Sequence, residues 1–356
     1  MTALLEIDLV AVAANWRMLD ATHEGETAAV LKADAYGLGA AQIAPVLAEA
    51  GCRLFFTAHL DEAVTLRALL PKARVVVLNG LFPHAAADFV AQDIIPVLGS
   101  LKDIALWHAQ ARGLGQKLTA FLHLETGMNR LGLTASECAV LRDDPGRLEG
   151  VLVDTVMTHL LAADAPDDSA NARQAALFFD AARQFPSAKK SLANSSGMFL
   201  GAGFQADLAR PGAALYGINP TPGHKNPMRD VVRLSAPILQ IHEISMGETV
   251  GYGGMWRAAR PSRIATLGVG YADGYHRILS SHATAYFDDT PVPLVGRVSM
   301  DLTTFDVTDV PANPGDRLEL LGTKHGPDAL AGEAQTNGYE ILTSLGRRYQ
   351  RRYIGA

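Results

Sequence analysis

The sequence predicts an α/β fold, in which a closed (β/α)8 TIM barrel is followed by a mostly β C-terminal domain. Short apolar runs alternate with alanine-rich helical stretches over the first two-thirds of the chain. In the remainder, apolar and polar residues alternate with a period of two, which is typical of β-strands. No GxGxxG motif follows a strand, which argues against an open dinucleotide-binding sheet. We expect the barrel to span residues 1–225 and the β domain to span residues 226–356, with residues 1–8 as candidates for packing against the β domain.

Eight apolar runs are the predicted barrel strands. Glycine, proline and polar residues flank these runs, and the segments between the runs have the periodicity of helices. The predicted strands are Thr27–Leu31, Leu54–Thr57, Val75–Leu78, Ile94–Leu98, Leu118–Leu124, Gly150–Thr158, Ser191–Asn194 and Ala213–Gly217. The predicted helices are Val10–Leu19, Ala40–Ala50, Glu62–Leu70, Leu101–Ala111 and Asn171–Phe185.

A proline- and glycine-rich segment, Asn219–Pro227, is the predicted linker between the domains. Beyond it, apolar and polar residues alternate from Val232 to Ile244, which predicts a strand. Further strands are predicted at the apolar runs Ile264–Gly270, Pro293–Val295, Ser299–Val307 and Leu318–Leu321. One helix is expected near Tyr339–Leu345.

Composition narrows the class of protein. The 356 residues are 48% hydrophobic and 19% charged, with a net charge of -6 and no basic block, which is typical of a globular enzyme and argues against nucleic acid or membrane as a partner. Cys52 and Cys138 lie far apart without a CxxC or Cys/His spacing, which argues against a disulfide framework and a metal site. We therefore expect a cytoplasmic protein without a bound metal.

Polar residues cluster at the carboxyl ends of the predicted strands, where a barrel of this kind carries its chemistry. A strand-end lysine is often only a solvated charge, and a strand-end arginine often makes a structural ion pair. Here, however, a lysine, two arginines, a histidine and a Ser/Gly-rich turn converge on one rim. Such a set suits a small molecule that carries a phosphate and an aldehyde, and pyridoxal phosphate fits that description. The residues are Lys32, Tyr36, Arg130, His159, Ser195, Arg210 and Gly212.

Several motifs, in order along nearly the whole chain, give the sequence a resemblance to the alanine racemase family. The family pairs a barrel with a β domain and works as a homodimer, so the resemblance implies both. The motifs are Lys32-Ala33-Asp34-Ala35-Tyr36-Gly37, Thr126-Gly127-Met128-Asn129-Arg130-Leu131-Gly132, Arg210-Pro211-Gly212, Gly251-Tyr252-Gly253, Gly268-Val269-Gly270-Tyr271-Ala272-Asp273-Gly274-Tyr275, Gly296-Arg297-Val298-Ser299-Met300-Asp301 and Tyr339-Glu340-Ile341.

The resemblance implies an alanine racemase that interconverts L- and D-alanine on a pyridoxal-phosphate external aldimine. Removing a proton from one face of a planar centre and returning one to the other requires two bases. Lys32 matches the Schiff-base lysine, which serves one face, and Tyr252 matches the tyrosine that serves the other. His159 matches the histidine linked to that tyrosine.

The remaining site residues follow from the same resemblance. Arg210 matches the arginine that faces the pyridine nitrogen, where related barrel decarboxylases carry a glutamate. Arg130 and Met300 match residues that bind the substrate carboxylate. The implied phosphate ligands are Tyr36, Ser195, Gly212, Ala213 and Tyr339.

One departure from the family pattern is His123, which stands where many members have a lysine whose carbamate orients the arginine corresponding to Arg130. A histidine cannot supply that anion, so a bound anion such as chloride is the expected substitute.

The alternative function is a racemase of broader specificity that accepts serine or larger side chains. A non-catalytic pyridoxal-phosphate carrier would lack the second domain, in which Tyr252 lies.

Overall fold

The computed structural model describes residues 2–355 and contains a parallel barrel and a mostly antiparallel β domain. In chain order the strands are β1 (Leu4–Asp8), β2 (Glu26–Thr27), β3 (Ala29–Val30), β4 (Leu54–Thr57), β5 (Arg74–Val77), β6 (Ile95–Leu98), β7 (Leu118–His123), β8 (Val151–Met157), β9 (Lys189–Ser191), β10 (Leu208–Ala209), β11 (Val232–Ile244), β12 (Thr249–Val250), β13 (Trp256–Arg257), β14 (Ser262–Leu267), β15 (Thr284–Phe287), β16 (Thr290–Pro293), β17 (Thr303–Asp306), β18 (Arg317–Leu321) and β19 (Gln350–Ile354).

Strands β3 to β9 pair in parallel and in chain order, and the last barrel strand, β10, pairs with β2, which runs directly into β3. Successive side chains of each strand point to opposite faces of the sheet, so they are divided between a core inside the barrel and a core outside it. One set fills the barrel interior, where Phe56 and Phe121 meet edge to face with ring centroids 5.9 Å apart. The opposite set, including Phe55 and Leu122, packs outward under the helices. The predicted (β/α)8 barrel is confirmed.

Helices cover the outside of the barrel, except for the short left-handed turn α2 at its rim, and two more helices lie in the second domain. The helical periodicity predicted both ends of Ala40–Ala50 as observed, and the ends of the other predicted helices differ from the observed ones by up to three residues. Among residues 2–355 no helix has both the length and the apolar character needed to span a membrane. The helices are α1 (Leu9–Thr22), α2 (Lys32–Tyr36), α3 (Ala40–Ala50), α4 (Leu60–Leu69), α5 (Ala86–Ala91), α6 (Leu101–Leu114), α7 (Ala135–Asp143), α8 (Ser169–Ala182), α9 (Pro327–Glu333) and α10 (Gly338–Ser344).

The eighth strand was predicted at the wrong place. The run Ala213–Gly217 is not a strand, because residues Ala213–Tyr216 form a 3-10 turn, and the strand lies upstream at β10. The apolar character of this run arises from burial of the turn beneath helix α1, where the Asn15 amide donates to the carbonyl of Leu215 at 3.2 Å. A short apolar run gives the same sequence signal in either conformation.

The second domain is built around the long strand β11. Strand β1 lies between β11 and β19 and therefore belongs to the sheet of this domain, although it is at the other end of the chain. Strand β11 also pairs with β14 and β18, and its pairing register shifts between Ile238 and Gln240. Strands β15 and β19 were not predicted. Strand β19 is mostly polar, whereas β15 contains the apolar residues Ala285, Tyr286 and Phe287 and was missed. The mostly β character of this domain agrees with the prediction.

Candidate active site

A cavity of about 300 Å³ opens at the carboxyl ends of the barrel strands. It brings together all eight side chains or backbone positions that the sequence predicted to hold a cofactor. Its lining residues are Val30, Lys32, Ala33, Tyr36, Leu78, His159, Asn194, Ser195, Ser196, Arg210, Gly212, Ala213, Tyr339 and Thr343. The other six lining residues were not predicted to hold a cofactor, because none carries a distinctive chemical signal of its own: Val30, Ala33, Leu78, Asn194, Ser196 and Thr343.

Lys32 lies at the point where strand β3 gives way to α2, and its side chain is half-buried. Burial, followed by the positive charge of Arg130, lowers the pKa of Lys32, and the carboxylate of Glu62 opposes this effect. A lysine in these surroundings loses its proton more readily than one in water, which makes it a better nucleophile and base.

Arg210 is buried in the cavity wall and is 4% exposed. Its guanidinium donates to the Ser191 hydroxyl and to the carbonyl of Thr158. Burial lowers the pKa of Arg210 to about 10, so the group is charged at neutral pH. No carboxylate pairs with it within residues 2–355. A buried cation held only by neutral oxygens is suited to face an uncharged, electron-rich ligand atom.

Hydroxyl and amide donors form a cup at one end of the cavity. The Ser195 hydroxyl accepts the N–H groups of Gly212 at 3.0 Å and Ala214 at 3.2 Å, which leaves its own proton to donate. A side chain at Gly212 would place its Cβ 2.5 Å from the Tyr36 hydroxyl, so only glycine keeps this hydroxyl accessible. Burial raises the pKa of Tyr36 and of Tyr339, which keeps both hydroxyls protonated and able to donate to an anion.

Two histidines lie close to the arginines of the site, His123 buried and His159 half-buried. Burial, followed by the charge of Arg210, lowers the pKa of His159 to about 3 and that of His123 to about 4. Both imidazoles are therefore neutral at neutral pH. Neither adds positive charge to a site that already contains Lys32, Arg130 and Arg210.

Arg130 lies outside the first cavity, on an exposed loop. It shares an adjoining cavity of about 480 Å³ with His123. Among residues 2–355 no carboxylate forms a salt bridge with Arg130. The structure thus leaves room beside His123, and the His123 side chain carries no negative charge to hold this arginine.

Two of the predicted site residues lie away from both cavities. Tyr252 and Met300 belong to the β domain, where Tyr252 is 72% exposed and Met300 is 54% exposed. Neither side chain lines the cavity that contains Lys32. The fold of one chain therefore does not bring Tyr252 to Lys32 or to His159.

Comparison with known proteins agrees with the motifs. Residues 7–220 match the family model of the alanine racemase N-terminal domain, and residues 231–353 match that of the C-terminal domain. The chain belongs to the alanine racemase family. This confirms the predicted family.

Members of the family resemble the chain over almost its whole length. An alanine racemase of Acidiphilium cryptum is 60% identical over 348 residues, covering 98% of this chain and 97% of the relative. An alanine racemase of Methylobacterium nodulans is 49% identical, and the match covers 99% of this chain and 96% of the relative. The crystal structure of alanine racemase from Bartonella henselae, which contains covalently bound pyridoxal phosphate, is 43% identical and has a TM-score of 0.95, covering 99% of this chain and 100% of that one.

The low pKa of His123 predicts a loss of stability in acid. Between the folded pKa of about 4 and the ordinary value of 6.5, the unfolded chain binds a proton that the folded chain does not. This contribution is present in full above pH 6.5 and is lost as the pH falls towards 4. For one such histidine the loss between pH 7 and pH 5 is about 2 kcal/mol.

We expect His123→Asn to make the free energy of unfolding less dependent on pH in this interval, as measured by urea unfolding of the cofactor-free protein. His84→Asn, at an exposed position, is the control and should leave the dependence unchanged. An unaltered dependence in His123→Asn would show that this histidine is not held neutral.

Proposed function

We propose that this protein is an alanine racemase that uses pyridoxal 5'-phosphate to interconvert L-alanine and D-alanine. The observation that carries the proposal is the cavity itself. It combines an amine of lowered pKa, an unpaired buried guanidinium and a cup of hydroxyl and amide donors. Membership of the family supports the choice of reaction.

The donor set of the cavity fits pyridoxal phosphate. The hydroxyls of Tyr36, Ser195 and Tyr339, with the backbone at Gly212 and Ala213, would hold the phosphate. Lys32 would hold the aldehyde carbon, and Arg210 would face the ring nitrogen. When bound, pyridoxal phosphate supplies the electron withdrawal that weakens the bond between Cα of an amino acid and its hydrogen.

Lys32 and Tyr252 are the two bases in this proposal. The Lys32 amine, freed by the amino group of the substrate, exchanges a proton at one face of Cα, and the Tyr252 hydroxyl exchanges a proton at the other. A phenol has an ordinary pKa near 10, so Tyr252 needs a polar partner. His159, which is neutral in the cavity wall, can accept a hydrogen bond from it.

Arg210 directs the chemistry towards racemisation. A guanidinium stays protonated, so it can donate to the ring nitrogen but cannot receive a proton from solvent and pass it on. The nitrogen opposite Arg210 therefore stays unprotonated, which limits how far charge is drawn away from Cα. Simple return of a proton to Cα is then favoured over side reactions such as transamination.

The substrate carboxylate is assigned to Arg130 and to the backbone amide of Met300. Since the neutral His123 cannot supply a negative charge, we infer that a small anion such as chloride lies beside Arg130 and orients it. The adjoining cavity that His123 and Arg130 share has room for such an ion.

A homodimer would complete the site. Tyr252 and Met300 are exposed on the β domain of their own chain and lie away from its cavity. We infer that they enter the cavity of a second copy, arranged head to tail, so that each dimer contains two shared sites. We also infer a cytoplasmic location, which the two buried, unpaired cysteines support.

The proposed reaction predicts that Lys32→Ala abolishes racemisation. Removing the amine deletes both the attachment point and one base, so the rate should fall by at least about 10³-fold. Loss of optical rotation of L-alanine and L-serine should be followed for the wild type, for Lys32→Ala and for the exposed control Lys72→Ala. Alanine racemisation that persists in Lys32→Ala contradicts the assignment, and equal rates on serine favour the broader racemase.

The shared site predicts that two inactive variants regain activity when their subunits mix. Lys32→Ala chains and Tyr252→Ala chains should each be inactive. A mixed dimer contains one doubly defective site and one intact site, so about half of the wild-type activity per mixed dimer should return. Differently tagged chains allow mixed dimers to be purified before the assay. Pure mixed dimers that remain inactive would show that Tyr252 serves its own chain.

A further inference from the structure

The backbone that follows Lys32 turns in the left-handed sense. Ala33, Asp34 and Ala35 have φ of 55°, 54° and 54° with ψ of 46°, 50° and 52°, and Tyr36 continues with φ of 56°. Residues with a side chain avoid this region, because Cβ approaches the following carbonyl oxygen. A run of four such residues persists only where neighbouring groups hold it in place.

The carboxylate of Glu62 holds the first residue of this turn. Its Oε1 accepts the N–H of Ala33 at 2.6 Å, and its Oε2 accepts the N–H groups of Ala58 at 2.8 Å and His59 at 3.1 Å. A glutamate at the third position of a helix ordinarily caps only its own helix. The contact with Ala33 goes further, because it ties the strand end that carries Lys32 to the end of the adjacent strand β4.

Glu62 does not line the cavity, so it is not placed to touch a ligand there. It acts on Lys32 in two ways from behind the cavity wall. Its hydrogen bond fixes the peptide immediately after Lys32, and its negative charge opposes the effect of Arg130 on the pKa of Lys32. Among residues 2–355, Glu62 is the carboxylate whose negative charge raises the pKa of Lys32.

We propose that Glu62 is a positioning residue for Lys32, whose carboxylate fixes the left-handed turn and thereby directs the lysine amine at one face of the substrate Cα. The inference rests on the proposed racemase function and extends it. Because Tyr252 comes from another domain, a change at Glu62 affects proton transfer at the Lys32 face and leaves the Tyr252 face unchanged.

The test uses Glu62→Gln, which keeps the shape of the side chain but turns one acceptor into an NH2 group facing a backbone N–H. In the holoenzyme we expect kcat to fall roughly 10- to 100-fold, the size expected for a misplaced catalytic group, with KM for alanine nearly unchanged. The primary isotope effect with alanine deuterated at Cα should rise for the enantiomer whose α-hydrogen Lys32 removes, and should not rise for the other.

Isotope effects do not depend on the fraction of folded enzyme, which separates positioning from loss of stability. Asp8→Ala removes a different helix-capping carboxylate, which accepts the N–H of Ala11 at 2.9 Å and does not line the cavity. This control should lower Tm and leave both isotope effects as in the wild type. Isotope effects that are unchanged in Glu62→Gln, or that rise equally for both enantiomers, overturn the proposal. A wild-type enzyme that does not racemise alanine would instead contradict the proposed function, and this proposal with it.

Discussion

The left-handed turn after Lys32 is the constraint on which the site depends. Left-handed backbone costs about 1–2 kcal/mol for each residue with a side chain, so the turn stores several kcal/mol that other contacts must offset. Both domains contribute contacts that hold the turn. Glu62 holds the turn from the barrel, and from the β domain Arg351 donates to the carbonyl of Gly37 at 2.6 Å and Tyr353 donates to that of Leu38 at 3.0 Å. The turn thereby presents Lys32 and Tyr36 to the same cavity, and the second domain helps to hold the residues that follow it.

Electrostatics gives the site a second organising feature. Lys32, Arg130 and Arg210 surround a region in which the two histidines are neutral, and the arginines have no carboxylate partner among the residues that the structure describes. Clustered cations that do not neutralise one another attract anionic ligands and hold them tightly once water is excluded. A phosphate-bearing cofactor and an amino-acid carboxylate are ligands of this kind. The same arrangement accounts for the lowered pKa of Lys32, because burial and neighbouring positive charge both favour its neutral form.

The sequence predicted much of this arrangement, because barrel architecture converts strand ends into a common rim. Lys32 and His159 could be placed near one another from the order of apolar runs alone. Arg210 precedes the run that was predicted as the eighth strand, and it lies at a strand's carboxyl end only because the observed strand is β10. The eighth strand was misplaced since a buried 3-10 turn and a buried strand are equally apolar over five residues. Strand β19 contains too many polar residues to be distinguished from a loop, whereas the mostly apolar strand β15 could have been recognised.

Other features could not be predicted from residue patterns. Nothing in Ala33-Asp34-Ala35-Tyr36 indicates a left-handed turn, because alanine favours the right-handed helix and the turn is imposed by distant contacts. Glu62 has the sequence signal of a helix cap, and its contact with Ala33 appears only in three dimensions. Tyr252 was predicted from its motif alone, because the fold of one chain leaves it exposed and away from the cavity.

The strain in the left-handed turn is tested most directly by the effect of Ala33→Gly on the free energy of unfolding. In a right-handed helix this change costs about 1 kcal/mol, and Ala109→Gly on the exposed face of α6 measures that cost in the same protein. Glycine adopts the left-handed conformation without steric penalty. We therefore expect Ala33→Gly to leave the protein as stable as the wild type or up to about 1 kcal/mol more stable. A loss equal to that of Ala109→Gly would contradict it.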